Sequence, residues 1–201
     1  MISMIYHKNL NSEWEKEAEK LSQIFDSSII GRSHKQCIIK GNNFVLETYK
    51  SESHQYSLKL YEQCFSQTNP DICDDMLTWV ENSSRAQDDI LELYCGLGTF
   101  TILFSRMYNN VLATENSRPS ILGLNENLLL NNVSNVWSAR LSGYETLDAI
   151  KKTRSYRRMK DIDLSNFKLS TIFLDPPRSG LDDNTLNAVS NYDQIIYLSC
   201  G

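Results

Sequence analysis

The chain reads as an α/β protein, a doubly wound parallel sheet preceded by part of a smaller α+β region. Three observations predict this. From Gln67 onward, short apolar runs rich in branched residues alternate with segments of helical period, the pattern of strand–helix–strand crossovers. The first of those runs, Ile90 to Tyr94, flows into a glycine turn, Cys95-Gly96-Leu97-Gly98. The fourth, Ser170 to Leu174, ends in Asp175-Pro176-Pro177-Arg178, where two prolines forbid further strand pairing.

The leading region, residues 1–62, begins with a strand over Met1 to Tyr6. Ser12-Glu13-Trp14-Glu15 has the spacing of a capping box, opening a helix with Trp14, Ala18, Leu21 and Phe25 on one face. Short β segments follow at Ser28 to Gly31, Cys37 to Ile39, Val45 to Tyr49 and Leu58 to Tyr61. They offer too little apolar surface for a core of their own.

Residues 63–201 carry the alternating pattern. Asn69 and Pro70 suit the N-cap and first turn of a helix through Met76, Leu77 and Val80. After the strand at Ile90 to Tyr94 and its glycine turn, a helix spans about Thr99 to Met107. A second strand, Val111 to Thr114, delivers Glu115, and a helix with Pro119 near its start reaches Asn131. A third strand covers Val136 to Ala139, followed by a helix over Tyr144 to Ile150. A basic connection leads to the fourth strand, and a helix over Leu181 to Val189 returns to a fifth, Gln194 to Leu198, which delivers Ser199-Cys200-Gly201.

Composition narrows the class. At 201 residues and 41% hydrophobic content the chain is long enough and apolar enough for a core. Its five cysteines are scattered, with no Cys-x-x-Cys pair, which argues against a disulfide framework or a metal site and for reduced thiols. No apolar run approaches the ~20 residues of a membrane span, and the first five residues do not form a signal peptide. A cytoplasmic protein is expected. The net charge of −5 argues against a surface coated in phosphate contacts but leaves room for a local basic face.

Glycine turn and acid together suggest a nucleoside cofactor. Glu115 ends the second strand, where an acidic side chain accepts hydrogen bonds from ribose hydroxyls in such sheets. This pair alone does not separate a dinucleotide from S-adenosylmethionine. The Asp175-Pro176-Pro177-Arg178 ledge projects an acid and a base at the carboxyl edge, and Cys200 places a thiol just past the last strand. In amino-group methyltransferases an aromatic residue normally follows the two prolines; Arg178 stands there instead.

With these stretches in view, the sequence resembles the S-adenosylmethionine-dependent RNA uracil-C5-methyltransferases, and in particular their bacterial tRNA branch. The resemblance is carried by Phe65-Ser66-Gln67-Thr68-Asn69-Pro70, Leu91 to Gly96, Val111 to Glu115, Asp175 to Leu181 and Tyr197-Leu198-Ser199-Cys200. Tyr6-His7-Lys8, Glu13-Trp14 and Ile30-Gly31-Arg32 extend it to the leading region.

The resemblance implies a class I, Rossmann-like methyltransferase domain that methylates a T-loop uridine of tRNA. It implies that Gln67, Tyr94, Gly96, Glu115 and Asp175 contact S-adenosylmethionine and that Cys200 is the nucleophile. Thr99 stands where the tRNA branch has asparagine, another cofactor contact, and Arg178 is placed to meet RNA or brace the target base. No metal and no membrane are implied, and a monomer is expected at full length. The family also has an RNA-binding region before residue 1 and, beyond Cys200, two further strands and a general-base glutamate. The expectation is therefore a fragment, unable to complete turnover. Two alternatives stand beside it, a ribosomal-RNA uracil-C5-methyltransferase and a non-catalytic cofactor- or RNA-binding remnant.

Lys151, Lys152, Arg154, Arg157, Arg158 and Lys160, with Tyr156 among them, form the one dense basic cluster, read either as a solvated face or as a contact to RNA backbone. His7, His34 and His54 lack metal spacing. Cys95 reads as a packed side chain, and Trp14, Trp79 and Trp137 as packing residues.

Overall fold

The structure is a computed structural model and describes residues 1–199. By packing it divides into two units, Met1–Leu46 with Lys59–Gln63, and Glu47–Leu58 with the chain from Cys64 onward.

In the first unit, β1 (Ile2–Ile5), α1 (Ser12–Phe25), β2 (Ile29–Ser33) and β3 (Gln36–Lys40) follow in order. β2 is the central strand, parallel to β1 and antiparallel to β3. The helix packs on this sheet through Ala18 and Trp14. A methyl group on Gly31 would lie 2.3 Å from the Trp14 ring, so the missing side chain is what lets the indole reach β2. One expectation is corrected here. Asn11, not Ser12, caps α1, its side chain accepting from the Trp14 N–H at 2.9 Å, while Glu15 reaches across to Lys40 at 3.1 Å rather than back to close a box. Phe25, expected on the buried face, is exposed.

β4 (Phe44–Lys50) and β5 (Gln55–Tyr61) form a hairpin whose outer part belongs to the second unit. There Tyr49, Tyr56 and Leu58 are buried, the Lys50 N–H donates to Asp74 at 2.8 Å, and the Tyr56 hydroxyl donates to the carbonyl of Thr99.

The second unit continues as α2 (Pro70–Ser83), β6 (Asp89–Leu93), α3 (Thr99–Met107), β7 (Val111–Thr114), α4 (Arg118–Leu130), β8 (Val136–Ala139) and α5 (Gly143–Ile150). Two single-turn 3-10 segments, Arg157–Met159 and Leu164–Asn166, lead to β9 (Leu169–Leu174), α6 (Asp183–Val189) and β10 (Gln194–Tyr197). The five strands pair in the order β10-β9-β6-β7-β8, every pair parallel. The expected α/β class and parallel sheet are therefore present. Every residue of β6 and β7 is buried, as helices on both faces require. Phe173 of β9 packs against Phe100 and Phe104 of α3, with ring centroids 4.8 and 4.9 Å apart.

The two edges of this sheet differ in kind. At the amino edge the buried Asp89 accepts from the Asn110 side chain at 2.8 Å and the Lys168 N–H at 2.6 Å, tying together the starts of three strands. The carboxyl edge is left for chemistry. Chain order reverses at β6, which lies between β7 and β9, and ligands of such sheets settle at that switch point.

Candidate functional site

Beyond β6 the backbone turns sharply. Tyr94, Gly96 and Gly98 all have positive φ, +62°, +55° and +96°. Tyr94 is the costly one, since a bulky side chain disfavours this conformation and it persists only where the surroundings enforce it. Its phenol is half-buried in a nook near Gly143, the first residue of α5, and Thr185 of α6. Burial holds this phenol above its ordinary pKa, and Asp182 adds to the effect.

The glycines serve different ends. A methyl group on Gly98 would stand 2.5 Å from Leu124, so its absence lets α4 pack against the turn. Asn127 of α4 fixes the same turn by donating to the Leu97 carbonyl at 2.9 Å. A methyl group on Gly96 would meet nothing within 4 Å, which marks the open side of the turn.

Glu115, one residue past β7, binds both neighbours. One carboxylate oxygen accepts from the Gly96 N–H at 3.3 Å and the other from the Ser117 N–H at 2.7 Å. Each oxygen keeps a lone pair, the capacity needed to accept from ribose hydroxyls. Across the switch point, Asp175 follows β9 and accepts from the Gln67 side-chain amide at 3.4 Å. Burial pushes the Asp175 carboxyl upward. The sheet thus brings Gln67, Tyr94, Gly96, Glu115 and Asp175 to one edge.

Thr99 opens α3 directly after the turn, and the bond recorded at its carbonyl is structural. Arg178 stands exposed in a tight turn closed by the Gly180 N–H donating to Pro177 O at 2.8 Å. Cys200 lies outside the described residues; β10, which leads to it, pairs with β9. Cys95 is buried and its thiol is pushed well upward by burial, so it stays protonated and packed, as expected.

Glu92 belongs to the site without standing among the residues expected to form it. This β6 residue is fully buried, and among the described residues its carboxyl oxygens make no hydrogen bond of good geometry, the equally buried Thr101 hydroxyl being the polar group that faces them. Burial pushes its pKa up to about 8, with Thr101 opposing and Asp175 and Glu115 reinforcing the shift. A charged residue inside the apolar run Ile90-Leu91-Glu92-Leu93 was the available signal. Two acids, Glu115 and Asp175, therefore flank the open turn, with the protonated Glu92 buried nearby. That setting suits a ligand carrying hydroxyl donors and a positive centre.

The basic cluster is an exposed connection anchored by one buried residue, Met159. Arg158 pairs with Glu145 at 2.8 Å, and the Arg154 guanidinium lies 5.2 Å from the Tyr156 ring centroid. Trp79 and Trp137 are both exposed, not the packing residues expected, although Trp137 sets its ring edge-on against Phe167. Among the described residues no helix is long and apolar enough to cross a membrane.

Known proteins bear on this arrangement in two ways. The chain is 42% identical over its whole length to the tRNA/tmRNA (uracil-C(5))-methyltransferase of Shewanella denitrificans, of which it covers 56%. It is likewise 42% identical to the protein of that name from Neisseria meningitidis serogroup B, of which it again covers 56%. The chain thus spans about half the length of these relatives. In fold it is similar to the Pyrococcus abyssi tRNA (uracil-54, C5)-methyltransferase solved with S-adenosyl-L-homocysteine, at a TM-score of 0.62 and 21% identity, over 87% of this chain and 41% of that one. The tRNA (uracil-5-)-methyltransferase family matches residues 1–201 without a break, and the chain belongs to that family.

Proposed function

We propose that this chain supplies the cofactor site and the nucleophile for S-adenosylmethionine-dependent C5-methylation of a T-loop uridine in tRNA. The observation that carries the reading is the pairing of Glu115 with the Gly96 N–H beside the Gln67–Asp175 pair, at the switch point of a parallel sheet. The names of the relatives support it.

The residues fit the cofactor. Glu115 is placed to accept from the ribose hydroxyls, and the open side of Gly96 admits the ligand close to the backbone. Asp175 and Gln67 face the opposite side, where a carboxylate and an amide suit a cationic amino-acid moiety. Bound there, S-adenosylmethionine supplies an electrophilic methyl group on a sulfonium.

Uracil C5 is too weak a nucleophile to take that methyl unaided. Addition of the Cys200 thiolate to C6 makes the ring an enolate, nucleophilic at C5. After methyl transfer, loss of the C5 proton to a base allows the thiolate to leave and restores the C5–C6 double bond. The uridine must first be unstacked, since neither face of its ring is accessible within the loop. Arg178, exposed just past β9, is assigned to RNA or to the target base. Residues 1–62 are assigned an RNA-contacting or linking role.

The test is covalent trapping. The chain is incubated with S-adenosylmethionine and a T-loop RNA bearing 5-fluorouridine, where fluorine at C5 blocks the final elimination. An adduct that survives a denaturing gel and is lost in Cys200→Ala is expected. Absence of adduct from a chain that binds S-adenosylhomocysteine and the RNA overturns the assignment of Cys200.

A further inference from the structure

The second unit holds a groove of about 430 Å³ at the outer border of the sheet, alongside β8. Three arginines from three separate segments line it: Arg118 at the start of α4, Arg140 directly after β8, and Arg158 in the 3-10 turn. Ile121 and Leu122 add an apolar floor, and the Ser138 hydroxyl donates to Asn125 at 2.7 Å, stitching β8 to α4 beneath it. Only the fold brings these arginines together, since 22 residues separate the first from the second along the chain and 18 the second from the third.

We infer that this groove seats the phosphate backbone of the RNA substrate, beside the candidate site. The inference rests on the RNA-methylating reading above. Arg118 and Arg140 are exposed and, among the described residues, have no ion-pair partner. Arg158 is oriented by Glu145, whose second oxygen accepts from the Ser142 N–H at 3.0 Å and is thereby committed. In a chain of net charge −5 this is a local excess of cations, and guanidinium forks match phosphate geometry in two-point contacts. The apolar floor suits ribose edges between the phosphates. Position supports the same partner. Arg118 lies three residues after Glu115, and Arg140 follows the buried Ala139 at the end of β8, so the groove opens at the edge that carries the candidate site.

The test measures binding of a fluorescent T-loop hairpin RNA to the chain by anisotropy across a salt series, with S-adenosylhomocysteine binding by calorimetry and a thermal melt as controls. In Arg118→Gln/Arg140→Gln, RNA affinity is expected to fall about tenfold, and the slope of log affinity against log salt to shrink by roughly 1.4 to 1.8, with cofactor binding unchanged. Leu122→Glu, which puts a carboxylate on the groove floor at an exposed position, is expected to weaken RNA binding by repulsion and serves should the double variant fail to fold. RNA binding with an unaltered slope in the folded double variant, or unaltered affinity in Leu122→Glu, overturns the groove alone. Failure of the unaltered chain to bind RNA while it binds S-adenosylhomocysteine overturns the groove together with the RNA-methylating reading.

Discussion

A methyl group added to Gly143 would stand 2.9 Å from the hydroxyl oxygen of Tyr94 and 3.3 Å from its Cζ. The absence of a side chain at the start of α5 is thus what admits the phenol of the strained residue at the end of β6. Tyr94 is held from two sides, by its unusual backbone and by this nook, and the glycine turn begins where it ends.

Gly143→Ala is therefore expected to displace Tyr94 and disturb the turn. Overpacking of this kind costs about 1–3 kcal/mol, so S-adenosylhomocysteine affinity should fall about tenfold. The nearest atom is the hydroxyl, and Tyr94→Phe removes it. The double variant Tyr94→Phe/Gly143→Ala should recover part of the lost affinity in calorimetry. Equal affinities for the single and double variants would show that the phenol does not transmit the effect.

Glu115 offers a sharper test of the cofactor assignment. Both of its oxygens accept backbone N–H groups, so an amide at this position turns an NH₂ toward one of those donors. Hydrogen bonds to a charged acceptor are worth about 1.5–3 kcal/mol, and Glu115→Gln should weaken S-adenosylhomocysteine binding by about 10- to 100-fold. The melting temperature should move little if the ligand depends on the carboxylate more than the fold does.

The parallel sheet was legible because its strands are buried on both faces and bounded by unambiguous turns; β7, β8 and α3 begin and end where the apolar runs do. Local capping was harder to read. Asn11 and Ser12 are both good caps, and in the structure Asn11 takes the cap while Glu15 pairs with Lys40. The real capping box, Ser142 with Glu145, has the same spacing and was available in the sequence. Glu115 and Asp175 were readable as strand-end acids. The partnership of Gly143 with Tyr94 was not, because it depends on how α5 and the end of β6 meet across 49 residues of chain. The groove arginines were hidden for the same reason, with only Arg158 lying in the recognisable basic run.

In the first unit, Arg32 grips Glu62 with a two-point contact, Nε to Oε1 at 3.1 Å and Nη2 to Oε2 at 2.7 Å. Both side chains are mostly buried, 28% and 13% exposed, which raises this pair above an ordinary surface bridge. The hydrogen bonds from Arg32 hold the Glu62 carboxyl below its ordinary pKa against the opposing effect of burial. A lowered folded-state pKa means stability that is present above the unfolded value and lost as pH falls through the folded one. Glu62→Gln should cost about 1–2 kcal/mol at pH 7, and the gap to the unaltered chain should close toward pH 3 in urea denaturation. Arg32→Lys should not rescue the contact, since an ammonium cannot make the two-point fork.

Glu92 predicts the opposite dependence. Its carboxyl is fully buried, its oxygens make no hydrogen bond of good geometry among the described residues, and burial pushes its pKa up to about 8. Between the unfolded value, about 4.3, and the folded one, the folded chain holds a proton that the unfolded chain has released. Stability must therefore fall as pH rises across that window and level off above about 8. Over the whole window the Glu92 contribution to this decline is at most about 5 kcal/mol. Glu92→Gln keeps the shape, remains neutral at every pH and removes the slope. The difference in urea midpoint between variant and parent should thus move in favour of the variant from pH 5 to pH 8, whatever the fixed cost of burying the amide. A difference that stays constant over that range would mean that Glu92 is already ionised in the folded chain at pH 5, held by a compensating positive charge.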